Sequence, residues 1–539
     1  MCQGKNKPIK INLKNKKLLT YSLLFLIIAI GIFLRTYHIG TTPPGVYPDE
    51  AMNGEDAIHA AAGRWDWFYT NNGGREGLFM NLIAICFKLF GVSILTLKLP
   101  AIIAGILTIF GTYLLTRELF QKERIALIAS FLTAVSFWAF NFSRISFRAN
   151  LLPFILVFSF YFLLQGIRTK KFSDFAIGGF IFGIGLHTYI AFRIAPLLLL
   201  MLLVLFAVAR KNFWKDYWKK IMVFFALALV SAASMLYTFY IHPDYFFGRI
   251  DTISIFSPEI NKGNVFATLV KSFGLSMAQF NFWGDQNWRH NYPPYPILDP
   301  LVGIAFLFGM IYSVIKLTRL FTIRIIDKIR SDELMIYSFL IAWFFIMLAP
   351  EFMTGESLPH ALRSIGTLPV VMIFAAITFE YFMKEAEKGS KFYKKIVIFF
   401  VILMLTSVLV FNSVKYFYFW APNPTVAQSF DKNLTDISDY IQTLPPQEEK
   451  FIVNSFGPYH SPLDRLPIQI FNMDLPNTTY LYSWQNFDQI RPKTDDFIVI
   501  LTGKDADTQS RVRERFPDLT LQEINTSPGS VYYIIKNKK

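Results

Sequence analysis

Between residues 37 and 78 the chain gathers six acids, Asp49, Glu50, Glu55, Asp56, Asp66 and Glu76, against only Arg64 and Arg75, although its net charge is +15. A carboxylate held beside a substrate can take the proton of an attacking hydroxyl, so this cluster is the first place to look for general-base chemistry. Asp49 and Glu50 end the turn-rich run Pro43-Pro44-Gly45-Val46-Tyr47-Pro48 and lead into a helix predicted over 51–62. In that position Asp49 serves either as an N-cap or as the base. Asp56, seven positions on and two helical turns away, lies on the same face; it either shares a pocket with Asp49 or belongs to a solvated surface. Glu76 sits in the run Gly73-Gly74-Arg75-Glu76-Gly77, directly before an apolar segment.

A second set of residues is cationic. Arg144 and Arg148 stand four apart in Ser143-Arg144-Ile145-Ser146-Phe147-Arg148, Arg193 follows His187 by six, and His360 and Arg363 close Glu356-Ser357-Leu358-Pro359-His360-Ala361-Leu362-Arg363. Arginine forks match phosphate oxygens, whereas arginines at a membrane boundary can also simply snorkel. The stretch 279–291 interleaves aromatic rings with amides and holds Asp285, Arg289 and His290. Rings suit the C–H face of a sugar and polar groups its hydroxyls. Anchoring at a membrane interface accounts for Trp283 and Trp288 equally well, but not for Asp285, Arg289 and His290.

The elements that must carry these residues are mostly membrane spans. Of 539 residues, 53% are hydrophobic and only 17% charged, which excludes an ordinary soluble enzyme and a disordered chain. Apolar runs fall near 18–34, 99–116, 125–142, 151–167, 175–190, 194–209, 221–240, 299–315, 334–349, 364–383 and 396–413, about eleven spans. From Val414 onward there are 13 Lys/Arg against 15 Asp/Glu, so the positive excess lies in the preceding part. It sits there in short clusters between spans, a pattern that orients a polytopic protein and does not suggest a nucleic-acid partner. Alternation then puts the N-terminus in the cytoplasm and 35–98, 241–298, 350–363 and the C-terminal part outside. The run 78–90 is short for a span and reads as a helix at the outer surface. Residues 414–539 alternate strand-like runs (451–454, 479–482, 497–501, 531–535) with helix-like ones (430–444, 506–516), predicting a small soluble α/β domain. Cys2 and Cys86 supply neither a disulfide framework nor a cysteine-based metal site.

An N-terminal span, an outer loop with an Asp-Glu pair, Gly73-Gly74-Arg75-Glu76-Gly77 before a surface helix, many further spans and a polar C-terminal domain together resemble the GT-C membrane glycosyltransferases. The similarity is to the branch of the protein O-mannosyltransferases and aminoarabinose transferases. It implies a GT-C-like transmembrane catalytic domain over 1–413. The implied reaction moves one sugar, with inversion, from a polyprenyl-phosphate donor to a lipid, glycan or protein acceptor on the outer face. By the same resemblance Asp49 is the catalytic acidic residue, Glu50 its neighbour in the motif, and Arg148, Arg144, His360 and Arg363 face the donor phosphate. Asp56, Glu76, Asp285, Arg289 and His290 are left as substrate-binding candidates. The chain departs from the mannosyltransferase pattern in having Gly73-Gly74-Arg75-Glu76-Gly77 where that family has His-Pro-Pro. No Asp-X-Asp stands in the first outer loop and no Trp-Trp-Asp in the tail. A required metal or other cofactor is therefore not implied, though Asp49 with Glu76 or Asp285 could hold a divalent ion. The competing class is a polytopic transporter or lipid flippase, which would concentrate polar residues and broken helices near the midplane and show internal repeats. A sensor or scaffold built on the outer domain is the third.

Overall fold

A computed structural model describes residues 13–327, 332–454, 465–473, 475–481 and 484–537. Among these, nine helices are long and apolar enough to cross a membrane: Lys17–Thr36, Ile94–Phe120, Arg148–Thr169, Ile190–Ala209, Phe213–Ile241, Pro300–Ile323, Asp332–Phe352, Ile365–Ala386 and Lys391–Trp420. A tenth is broken. Glu123–Val135 and Phe137–Ser143 meet at a 57° bend where Ser136 leaves helical geometry, ψ 125°. The eleventh expected span is the helix Phe172–His187, shorter than the rest. It packs between Leu151–Thr169 and Phe213–Ile241. A Cβ on Gly179 or Gly183 would run into the carbonyls of Phe224 and Ala228, so glycine is what lets these backbones approach. The chain is a multi-pass membrane protein.

Three helices and a hairpin precede the second span. Helix α1, Leu13–Thr36, is followed by α2, Pro48–Ala61, and, after a hairpin of β1 (Phe68–Tyr69) with β2 (Arg75–Glu76), by α3, Leu78–Phe90. With 13 residues, α3 is only about 20 Å long at 1.5 Å per residue, too short to span. Its buried side, Phe79, Met80, Ile83, Ala84 and Phe87, joins Ala51, Met52, Ala57 and Ala60 of α2 in one apolar cluster. Leu89 and Phe90 remain exposed. A helix that is apolar on both faces yet too short to span fits the surface position expected of it.

The last span continues as a π-helix, Lys415–Trp420, past the composition change at Val414. Trp420 Nε1 donates to the carbonyls of Trp288 (2.8 Å) and Asn291 (3.1 Å), pinning the aromatic-amide loop to this helix. Beyond it lies the α/β domain. Its sheet runs β4-β3-β5-β7-β6, where β3 is Glu449–Val453, β4 Thr478–Leu481, β5 Phe497–Leu501, β6 Leu519–Ser527 and β7 Ser530–Asn537. β4, β3 and β5 are parallel, and β7 and β6 join antiparallel. Side chains alternate across the sheet: Ile452, Ile498 and Ile500 meet Leu434, Ile437 and Ile441 of helix Lys432–Thr443, while Phe451, Val453, Val499 and Leu501 meet Val512 of helix Thr508–Arg515. The half-exposed β6 is the strand the sequence pattern did not reveal. This domain sits on the same side as α2. Val46 N donates to Thr435 Oγ1 at 3.1 Å, and Leu466 and Ile470 complete the α2–α3 cluster.

Candidate active site

Helix α2 starts on Tyr47, extended at φ −79°, ψ 164°, with Pro48 at its first position; proline both pre-sets the helical φ and forces its predecessor out of the helix. Tyr47 supplies no side-chain cap, so Asp49 is a first-turn residue and not the N-cap. Its carboxylate benefits from the positive end of the helix and accepts a hydrogen bond from Asn72 Nδ2 at 3.1 Å. It lines a cavity of about 500 Å³.

Glu50, next along the helix, turns the other way and does not line the cavity. It is fully buried. Oε2 accepts the Ser146 amide at 2.7 Å, while Asn53 Nδ2 donates to the Ser146 carbonyl at 2.7 Å, so α2 holds both backbone polar groups of a residue two positions before Arg148. Burial pushes the Glu50 carboxyl up, with Lys98 opposing. Of the expected pair, Asp49 lines the cavity and Glu50 faces the Ser146 backbone behind it.

The β1–β2 hairpin turns through Gly73 and Gly74, both at positive φ, where a side chain would be strained. Adjacent strand residues point to opposite faces. Arg75 therefore meets α2, bonding to Asp56, Asn53 and Asn71, and Glu76 meets the spans, accepting from Arg148 Nε at 3.1 Å and Arg193 Nη2 at 3.0 Å. Burial pushes the Asp56 carboxyl up, with Arg75 opposing. Glu76 is only 2% exposed. Asp56 and Glu76 thus stand behind the cavity wall and hold the arginines that form it.

The loop 279–291 contributes from the opposite wall. Asp285 Oδ1 accepts from the Asn287 amide (2.8 Å), and Oδ2 from the Ala361 amide (2.7 Å) and His290 Nδ1 (2.8 Å). Burial pushes this carboxyl up, but His290, His360 and these hydrogen bonds outweigh it and hold it below the usual range. His290 and His360 face each other with ring centroids 4.7 Å apart, and both line the cavity. Burial pushes His360 well below the usual imidazole value, with His290 and Arg363 adding to the effect. Asp285, His290 and His360 offer three ligand atoms within 4.8 Å of one another, a nitrogen-rich set of the kind zinc prefers. Of the residues expected to share a metal, Asp285 belongs to this group; Asp49 and Glu76 do not.

Five arginines line the cavity, Arg75, Arg148, Arg193, Arg289 and Arg363, and among the described residues that line it Asp49 is the one carboxylate. Arg289 stacks over the Tyr47 ring at 4.4 Å and its guanidinium makes no ion pair among the described residues. Arg148 uses only Nε on Glu76, so its two terminal amino groups remain for a ligand. Arg363 is held by Glu356 at 3.3 Å. The expectation for Arg144 is corrected. Its buried guanidinium donates to the carbonyls of Leu34, Tyr37 and Thr42 at 2.8, 2.6 and 2.7 Å, closing the C-terminal end of α1 and not reaching the cavity. Sequence reading did not single out Arg75 or Asn72; the adjacency of Arg75 to Glu76 in the glycine-flanked run 73–77 was the available signal.

Residues 78–235 match the family model described as dolichyl-phosphate-mannose-protein mannosyltransferase. No curated protein sequence matches the chain. Among solved structures, ArnT from Cupriavidus metallidurans bound to undecaprenyl phosphate is similar over 97% of this chain and 98% of its own, at 12% identity and a TM-score of 0.56. The apo oligosaccharyltransferase of Archaeoglobus fulgidus is similar over 92% and 70%, at 13% identity and 0.55. The archaeal oligosaccharyltransferase from the same organism, in complex with an inhibitory peptide and a dolichol-phosphate, is similar over 86% and 65%, at 14% identity and 0.51. At these identities the likeness is one of fold.

Proposed function

We propose that this chain, whose fold is that of the GT-C glycosyltransferases, moves a single sugar from a polyprenyl-phosphate donor to an acceptor hydroxyl, inverting the anomeric carbon, with Asp49 as general base. One observation carries this reading: among the described residues a single carboxylate, Asp49, shares the lining of the cavity with five arginines. A leaving lipid phosphate develops negative charge, for which fixed guanidinium groups are preorganised partners. An acceptor oxygen needs a proton acceptor as it attacks, and the two needs are met by residues of opposite charge on the walls of the same cavity.

In the proposed reaction Arg148 and Arg289 bind the donor phosphate through their unengaged N–H groups. The acceptor oxygen approaches the anomeric carbon from the face opposite the phosphate. As the new C–O bond forms and the bond to phosphate breaks, Asp49 takes the hydroxyl proton and the lipid phosphate departs with the bonding electron pair. Attack opposite the leaving group inverts the centre. Two of the similar solved structures hold a lipid phosphate, which supports a donor of that class. No metal is required by this scheme. The site face is taken as the outer one, with the N-terminus cytoplasmic, on the strength of the basic clusters between spans.

Purified protein incubated with labelled polyprenyl-phosphate sugars and cell-envelope extract should transfer the label, and Asp49→Asn should not. Movement of intact donor across a vesicle membrane without transfer would instead favour the flippase reading.

A further inference from the structure

Arg289 has no ion pair among the described residues to fix its guanidinium, yet it is held at both ends. Its amide donates to Asn287 Oδ1 at 3.0 Å and its carbonyl accepts Asn141 Nδ2 at 2.9 Å, so its own loop and the broken span set the backbone. The guanidinium rests on the Tyr47 ring, 4.4 Å from the centroid. Tyr47, only 2% exposed, is wedged in turn between Phe147 and Phe430, with ring centroids 5.7 and 6.0 Å away and the Phe430 ring nearly perpendicular at 86°.

Phe430 does not come from a span. It is fully buried between the helix Pro424–Ser429 and the helix Lys432–Thr443 that packs on the C-terminal sheet. Two further contacts lock this neck onto the entry to α2. The Val46 amide donates to Thr435 Oγ1 at 3.1 Å, and Gly45, at φ 125°, comes so near that a Cβ there would stand 2.6 Å from the Phe430 carbonyl oxygen. The neck also reaches the other partner. The Trp420 ring meets the Phe430 ring edge-on at 5.9 Å, while its Nε1 donates to the carbonyl of Trp288, the residue before Arg289, at 2.8 Å. Residues 420–435 therefore bracket the Tyr47–Arg289 contact from both sides.

An unsupported arginine samples many rotamers, and freezing them on ligand binding costs affinity. A ring already fixed beneath the guanidinium removes much of that cost in advance. We propose, on the reading that Arg289 holds the donor phosphate, that the C-terminal domain is part of the donor site: Phe430 is a positioning residue that keeps Tyr47 beneath the Arg289 guanidinium. The domain acts on donor affinity through side-chain order, since among the described residues none beyond Arg363 lines the cavity.

The test is binding of polyprenyl phosphate, the lipid product of the proposed reaction, to the purified full-length protein in a double-mutant cycle. Phe430→Leu keeps apolar bulk and removes the aromatic edge, so it should weaken binding roughly three- to tenfold. In the Arg289→Ala background the same substitution should change nothing further, because the group it positions is gone. A Phe430 that only stabilises the fold would weaken binding by the same factor in both backgrounds, and that result, or unchanged binding in Phe430→Leu, would overturn the inference. Arg289→Ala alone reads the donor site: if it binds polyprenyl phosphate as the wild type does, the phosphate reading of Arg289 fails and the positioning role falls with it. Loss in Arg289→Ala without loss in Phe430→Leu would sink the role of Phe430 alone. Should Phe430→Leu not fold, Thr435→Val, which removes the oxygen that accepts the Val46 amide, takes its place in the cycle with the same expected pattern; equal effects in the two backgrounds would again count against the bracket.

Discussion

Asn72 donates a hydrogen bond to one carboxylate oxygen of Asp49 at 3.1 Å and leaves the other open to the cavity. Asn72 itself holds a left-handed backbone, φ 51°, which asparagine tolerates better than most residues. The hydrogen bond fixes the Asp49 side chain through one oxygen alone.

Asp49→Asn should therefore fold normally and lose turnover by roughly a hundredfold or more, the usual scale of general-base removal. Stability should hardly change, because Asp49 caps nothing. Glu50→Gln should do the reverse: it removes the charge facing Lys98 and lowers the melting temperature, yet it can still accept the Ser146 amide, so turnover per folded molecule should stay within about tenfold of the wild type. Equal losses of turnover in both variants would show that the two carboxylates act together.

Arg289 offers the cleanest test of phosphate binding, since removing it breaks no ion pair. Arg289→Ala should cost about 1.5 to 3 kcal/mol, roughly ten- to a hundredfold in donor affinity or rate, with little change in melting temperature. Arg148→Lys keeps a charge for Glu76 but loses the planar fork, so it too should impair the enzyme, chiefly in the donor-concentration dependence. Normal donor kinetics in both variants would remove the phosphate from this wall.

Glu76 balances Arg148 and Arg193 at once from a buried position. Glu76→Gln leaves two guanidinium groups without their carboxylate, and breaking a buried pair in this way costs about 3 to 5 kcal/mol. The variant should melt markedly lower in detergent, while Glu55→Gln, elsewhere on α2, should not.

Much of the architecture was legible because spans, surface helix and β-strands are set by hydrophobic length and period, which a linear pattern records. Apolar runs located the spans, and 13 residues sufficed to keep α3 out of their number. Strand-like runs alternating with helix-like ones after Val414 announced a small α/β domain. The site was legible in residue type but less so in direction. Asp49 and Glu50 are neighbours, yet successive helical residues diverge by about 100°, so one faces the cavity and the other the Ser146 peptide. Arg144 and Arg148 are four apart, but the intervening chain leaves the helix and re-enters through a short 3₁₀ turn at Arg148–Asn150. That break sends one guanidinium to the end of α1 and the other into the cavity. Such choices are made by packing partners a hundred residues away.

The last prediction concerns metal. Asp285 is engaged on both oxygens by backbone amides and His290, contacts that tie the 279–291 loop to the 360–363 segment. Transfer should therefore survive prolonged treatment with a strong chelator. The grouping of Asp285, His290 and His360 tells where to look if it does not. In that event added zinc should restore both turnover and melting temperature in the wild type and neither in His360→Ala, because a nitrogen-rich set selects zinc over magnesium. Magnesium restoring activity in place of zinc would point to oxygen ligands and hence to Asp49, the one carboxylate on the wall.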